Sequence, residues 1–392
     1  MAGCLQPKMD LGVIPQDIYA QILPSPELTV LELLHFRLPL LLPSRDPPAI
    51  NSFFNTQPPN ITDITSICTL PSPPQSVVNS LKKHLCQATA MGNHSIKPVH
   101  AASNGTYPLW IVTYWDNLFV VRSAQGAWAR AEHNLHGLSQ KWAAKGKKES
   151  THIVDWVFNA LAVLQWGQDL RGFSSNGTDN LGILTAYTSN TWLKGEHAGQ
   201  MLDLLKTKVR AESQLASAVE IASTWFYEKI KLGYEAPESY VTDTSFRLYH
   251  HIGEGLEAGR RDQCGFLVNL NQNHWVAVAL DFRTREIWYG DSLRQQMPEI
   301  AKKVLEWWTY FHSGERFTHR SLPVTAQKDS FSCCLLAWDA LAVFFSGGKE
   351  GLLDAENVAE GRLDILLRVI QRHTQAEVRT LRRVLVILWN MY

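Results

Sequence analysis

The sequence predicts an α+β fold, a central mixed sheet flanked by helices, on three observations. Short apolar runs at Phe266–Leu270, Trp275–Leu280 and Glu286–Tyr289, each flanked by polar residues, read as strands of one sheet. Segments with apolar spacings of three and four surround them, over Met201–Leu205, Glu299–Phe311 and Leu335–Phe345. The two kinds of element do not alternate strictly, as they would in a doubly wound fold.

Proline and tryptophan divide the chain of 392 residues. Of 18 prolines, 15 fall at or before Pro108, and all 14 tryptophans fall at or after Trp110. Proline breaks helices and ladders, while tryptophan marks packed cores and interfaces. Residues 1–105 are therefore expected to be a Pro-rich, poorly ordered N-terminal extension with one short helix near Leu28–Phe36. Residues 106–175 form a Trp-rich accessory segment. Within it Pro108–Arg122 is rich in β-branched and aromatic residues and predicts a strand or hairpin. Ser150 and Thr151 precede a helical pattern through Ile153, Val157, Leu161 and Leu164. The Gly/Ser/Asn-rich stretch Gly172–Asn180 reads as a linker and places a domain boundary. In the body at 176–350, a helix is expected over Glu212–Lys231 and a final extended piece near Ser321–Thr325. Residues 351–392 read as a C-terminal helical cap.

Lys+Arg and Asp+Glu are both 37, so the formal charge is zero. Such a chain has no global attraction for nucleic acid or an anionic membrane, and neither partner is expected. Six scattered cysteines without a CxxC pair argue against a disulfide framework and a zinc finger. His250-His251 lacks a second ligand pair, so neither a metal nor another cofactor is expected. The first residues carry no basic-then-apolar signal, and Leu28–Leu42 is too short and too charged to span a bilayer. An intracellular setting, nuclear or cytoplasmic, is the resulting expectation.

Three polar residues stand where thiol chemistry could use them. His274 opens an apolar strand, Asp291 follows the next strand, and Cys333 precedes an apolar helix with Ser332 as a candidate N-cap. A thiol needs a neighbouring imidazole to take its proton, and a carboxylate behind the imidazole to fix its tautomer. A helix N-terminus beneath the sulfur favours negative charge. Gln327, six residues before Cys333, could donate to an oxyanion together with the Cys333 N–H. Taken singly, each residue has an ordinary reading: a buried small hydrophobe, a rim histidine, a turn aspartate, a solvated glutamine.

Together they resemble the SUMO/sentrin-specific cysteine proteases, which share a papain-like fold with adenovirus proteinase. The resemblance covers roughly Thr185–Phe345, about 40% of the chain, in four ordered blocks. These are Trp192-Leu193 running into a helix; His274-Trp275 at a strand start; Asp291-Ser292-Leu293, 17 residues after the histidine; and Gln327 spaced ahead of Cys333. It implies that Cys333 is the nucleophile, His274 the base, Asp291 its orienting carboxylate and Gln327 part of the oxyanion hole. Trp192 and Trp275 would wall a tunnel for the extended Gly-Gly tail of a ubiquitin-like modifier, where a Cβ would clash. The substrate would be that modifier's conjugate or precursor. The long flanks resemble a branch of the family associated with fungal mobile elements. Cys334 stands where the family usually has glycine, and Lys194-Gly195 where it prefers a small polar or acidic residue. A catalytically inactive, modifier-binding module of the same fold is the alternative.

Overall fold

The computed structural model describes residues 12–43, 49–98, 105–174, 179–347 and 349–389. The chain divides into two compact units, Met1–Glu132 with Leu161–Gln168, and His133–Ala160 with Asp169–Tyr392.

In the first unit, helices α1 (Gln16–Ile22), α2 (Val30–His35), α3 (Ile64–Thr69) and α4 (Gln75–Ala90) accompany a small antiparallel sheet. Its strands are β1 (Phe54–Asn55), β2 (Ser95–Ile96) and β3 (Tyr107–Pro108). These are more helices than the single one expected near Leu28–Phe36, where α2 lies. The prolines fall at helix boundaries: Pro15 and Pro74 are the N-caps of α1 and α4, a place where a missing N–H costs nothing.

The strand or hairpin expected over Pro108–Arg122 is instead the start of the long helix α5 (Ile111–Ala144), which contributes residues up to Glu132 to this unit. Ile111, Val112, Tyr114, Trp115, Leu118 and Val121 are all buried, a helical spacing hidden by their β-branched and aromatic character. Trp110, Trp115 and Trp128 are buried too, as a core role requires. Helix α6 (Lys148–Leu161) follows.

The second unit is built on a five-stranded mixed sheet of order β4-β5-β6-β7-β8. It carries α7 (Gly195–Ala211), α8 (Ser213–Ala218), β4 (Val219–Ile221), α9 (Phe226–Glu235), α10 (Pro237–Thr242) and α11 (Arg247–Glu257). Then come β5 (Gln263–Leu270), β6 (His274–Asp281), β7 (Glu286–Gly290), α12 (Glu299–Ser313), β8 (Thr318–Ser321), α13 (Cys333–Phe345) and α14 (Val358–Trp389). The outer pairs β4/β5 and β7/β8 are parallel, and β5/β6/β7 are antiparallel. The α+β class with a central mixed sheet is therefore what the chain adopts. Among the described residues, no helix is long and apolar enough to cross a membrane.

The single helix expected over Glu212–Lys231 is broken into α8, β4 and α9. Val219 and Ile221 are buried with Glu220 between them, and that alternation pairs with β5. The final strand lies at β8, a few residues ahead of its expected place.

Alternation along the central strands sorts their side chains to two faces. Cys264, Phe266 and Val268 of β5 and Val276, Val278 and Leu280 of β6 join a core with Phe226, Tyr240, Leu305 and Trp308. The intervening positions include Gly265, Ala277 and Ala279. These small residues let α13 lie on β5 and β6. A Cβ on Gly265 would come within 2.3 Å of Phe345 Cε2 at the far end of α13. Gly265→Ala is therefore expected to destabilise the second unit by about 1–3 kcal/mol through overpacking. Urea unfolding checks this, and an unchanged midpoint would mean that α13 is free to shift.

Candidate active site

Strand pairing brings two of the site residues together. Ala277 of β6 lies opposite Gly290 of β7, so the start of β6 and the residues just after β7 share one edge of the sheet. There His274 Nε2–H donates to Asp291 Oδ1 at 2.7 Å. The same carboxylate oxygen accepts the Leu293 N–H at 2.7 Å, and Oδ2 accepts the Tyr289 hydroxyl at 3.4 Å. The carboxylate is thus fixed by backbone and side chain before it meets the imidazole.

Cys333 is the first residue of α13, and its sulfur lies close enough to His274 to help raise the pKa of the ring. With Nε2 committed to Asp291, Nδ1 is the nitrogen left to take the thiol proton. Cys333 is buried, only 2% exposed. The first N–H groups of a helix have no intrahelical acceptor, so those at the start of α13 can receive negative charge beside the sulfur. Ser332 is the N-cap by position, but its side chain does not cap the helix. Asp329 instead braces the loop ahead of the helix, its carboxylate accepting the N–H groups of Phe331 at 2.9 Å and Ser332 at 2.8 Å.

The electrostatics follow from this geometry. Burial alone would lower the His274 pKa, but hydrogen bonds and charge from Asp291 and Cys333 outweigh it and raise the pKa to about 9. Burial raises the Asp291 pKa, yet the bonds from His274, Leu293 and Tyr289 leave it below the usual carboxylate value. A raised histidine stabilises the fold fully below its ordinary 6.5, and that contribution is lost as pH climbs through about 9. The depressed aspartate contributes above its ordinary value and loses that contribution on acidification. The melting-temperature advantage of the wild type over Asp291→Asn is therefore expected to be large near pH 6.5 and to narrow towards pH 9. A difference independent of pH would contradict the pairing.

Gln327 is placed beside the site but is engaged. Its N–H donates to the Ser292 carbonyl at 2.8 Å, its Oε1 accepts from Ser292 Oγ at 3.0 Å, and its Nε2 donates to the Asp329 carbonyl at 2.7 Å. In this conformation it braces the end of β7 against the loop that bears Cys333. Trp192 is 43% exposed, with its indole N–H donated to the Ser330 carbonyl of that loop. Trp275 is buried and donates to the Leu193 carbonyl at 3.1 Å. The two tryptophans are therefore tied to the same junction, one as a surface and one as a support. Cys334, in the place of the family's glycine, is fully buried. Burial, followed by the nearby Cys333, pushes its thiol well above the ordinary range.

Sequence reasoning missed the loop-bracing role of Asp329, which reads as one of many loop aspartates. It also missed Arg362 of α14, which is 2% exposed and lies over the ring of Phe331. An arginine in an amphipathic helix gives no sign of burial.

Residues 191–358 match the model of the Ulp1 protease family, C-terminal catalytic domain. No curated protein matches the chain. Among solved structures, similarity extends to the C-terminal Ulp1 protease domain in complex with Smt3, the yeast ortholog of SUMO. The identity is 18%, over 56% of this chain and 93% of that one, with a TM-score of 0.40. The catalytic domain of a Chaetomium thermophilum Ulp1-like SUMO protease is 13% identical over 55% and 88%, with a TM-score of 0.44. The Xanthomonas campestris effector XopD bound to ubiquitin is 18% identical over 48% and 92%, with a TM-score of 0.31.

Proposed function

Since residues 191–358 carry a Ulp1-family protease domain, we propose that the chain is a cysteine peptidase that cleaves after the Gly-Gly tail of a ubiquitin-like modifier. It would release the modifier from a lysine or mature its precursor. The observation that carries this reading is the imidazole of His274, bonded at 2.7 Å to Asp291 and raised in pKa by Cys333, which stands at a helix start.

In this reading His274 takes the Cys333 proton, and the resulting imidazolium is favoured by Asp291 and by the thiolate itself. The sulfur attacks the carbonyl of the terminal glycine, and the Cys333 backbone N–H stabilises the oxyanion. The imidazolium returns its proton to the departing amine, leaving a thioester. Water, deprotonated by His274, then hydrolyses the thioester and restores the thiol. Gln327 holds the loop in register and is the side chain that would complete the oxyanion hole, exchanging its Asp329 contact for the substrate. Trp192 and Trp275 would confine the tail to residues without a Cβ. With Cys334 in the place of glycine, the catalytically inactive, modifier-binding module is the second reading. Residues 106–175 and 351–392 would flank the catalytic domain as accessory segment and helical cap.

The test is a SUMO-type modifier carrying an electrophile at its C-terminal glycine. The wild-type chain is expected to gain the modifier's mass at Cys333. Binding without an adduct would establish the non-catalytic module, and neither binding nor adduct would remove the modifier from the reading.

A further inference from the structure

Behind the nucleophile sits a buried cation that the chemistry above does not use. Arg362 lies on α14, past the end of the family match at residue 358. Its guanidinium bonds to carbonyls of the segment that leads to Trp192. Nη2 donates to the Ala186 carbonyl at 2.5 Å and the Thr191 carbonyl at 2.8 Å, and Nε to the Tyr187 carbonyl at 3.4 Å. It also lies over the ring of Phe331, two residues before Cys333, with Cζ 5.7 Å from the centroid. Nη1 is buried with no hydrogen-bond partner among the described residues.

A buried arginine held by carbonyls, with one nitrogen unpaired, is an expensive arrangement to keep for packing alone. The approach of its helix is also built in. A Cβ on Gly361 would lie 2.8 Å from Leu353 Cδ2 and 3.4 Å from Leu335 Cδ2 on α13. Glycine in a helix interior is unfavourable, and here it admits α14 close to the nucleophile's helix.

We propose that Arg362 is a positioning residue for the thiol chemistry: it fastens the Ala186–Thr191 segment to the Phe331 loop and keeps a positive charge behind Cys333. The inference rests on Cys333 being the nucleophile. Burial lowers the Arg362 pKa to about 10, against the opposing effect of Tyr187, Cys334, Asp329 and Cys333, so the group is charged at neutral pH. The titratable groups that feel Cys333 are His274, Cys334 and Arg362; behind them, Asp291 faces His274, and Tyr187 and Asp329 face Arg362.

The test alkylates the full chain with iodoacetamide and reads Cys333 by peptide mass spectrometry, which needs no modifier. Arg362→Met is expected to slow alkylation at pH 7 by about tenfold, with the rate regained by pH 9.5, as loss of a neighbouring cation requires. Arg362→Lys, which keeps the charge, is expected to stay within about threefold of the wild type at pH 7. Should the methionine variant not fold by circular dichroism, Arg362→Gln carries the same comparison, since its amide keeps a donor for the carbonyls. A neutral variant alkylated like the wild type would overturn the proposal. So would a deficit that persists at pH 9.5 and is shared by Arg362→Lys, the signature of a structural strut only. A wild type that is alkylated readily but leaves modifier conjugates intact would overturn the proposed function and leave this inference standing.

Discussion

Cys333→Ala is expected to remove turnover of a modifier conjugate completely, by a factor of at least about ten thousand. In the proposed function the whole rate rests on one sulfur that forms the acyl bond, and Cys334 cannot take its place. Cys334 is adjacent in sequence but fully buried, and its thiol is held protonated well above neutral pH. The fold should survive, since alanine at a buried first-turn position removes only a small side chain. Affinity for the modifier should survive as well, because Trp192 and Trp275 are untouched. Steady-state hydrolysis together with a binding isotherm reads both. Residual hydrolysis above a few per cent would move the nucleophile elsewhere.

Asp291→Asn is expected to lower kcat by roughly a hundred- to ten-thousandfold with the fold retained at assay temperature. Asn can keep an oxygen for the Leu293 N–H and for His274, so the loop after β7 need not rearrange. What goes is the negative charge that raises the His274 pKa to about 9 against the opposing effect of burial. Without it the neutral imidazole is favoured, and the thiol keeps its proton. Should the amide turn its NH₂ towards Nε2, the ring would have to adopt the opposite tautomer and could no longer accept at Nδ1. Either outcome cuts the rate while KM changes little. A variant with wild-type kcat would assign the orienting role to another group.

Much of the site could be read before any coordinates were known. The three strands around His274 carry apolar runs bounded by polar residues, and antiparallel neighbours joined by a short turn place His274 and Asp291 at one edge. The start of α13 at Cys333 follows from an apolar run behind Ser332. The failures have physical causes. In Ile111–Val121, tertiary burial overrides β-propensity, so an aromatic and β-branched run became a helix. At Val219–Ile221 three residues of alternation, set in helical surroundings, were too few to announce a strand. The burial of Arg362 depends on hydrogen bonds across 171 to 176 residues, and the engagement of Gln327 with Asp329 on loop geometry, to both of which local patterns are blind.

The pairing of His274 with Cys333 and Asp291 can be measured without substrate by following the His274 ring proton by NMR as pH is raised. The expected result is titration near pH 9 in the wild type, moving down in Cys333→Ala as the thiolate partner is lost. Titration of the wild-type ring at its ordinary 6.5, unmoved by removal of the sulfur, would contradict the pairing and with it the nucleophile.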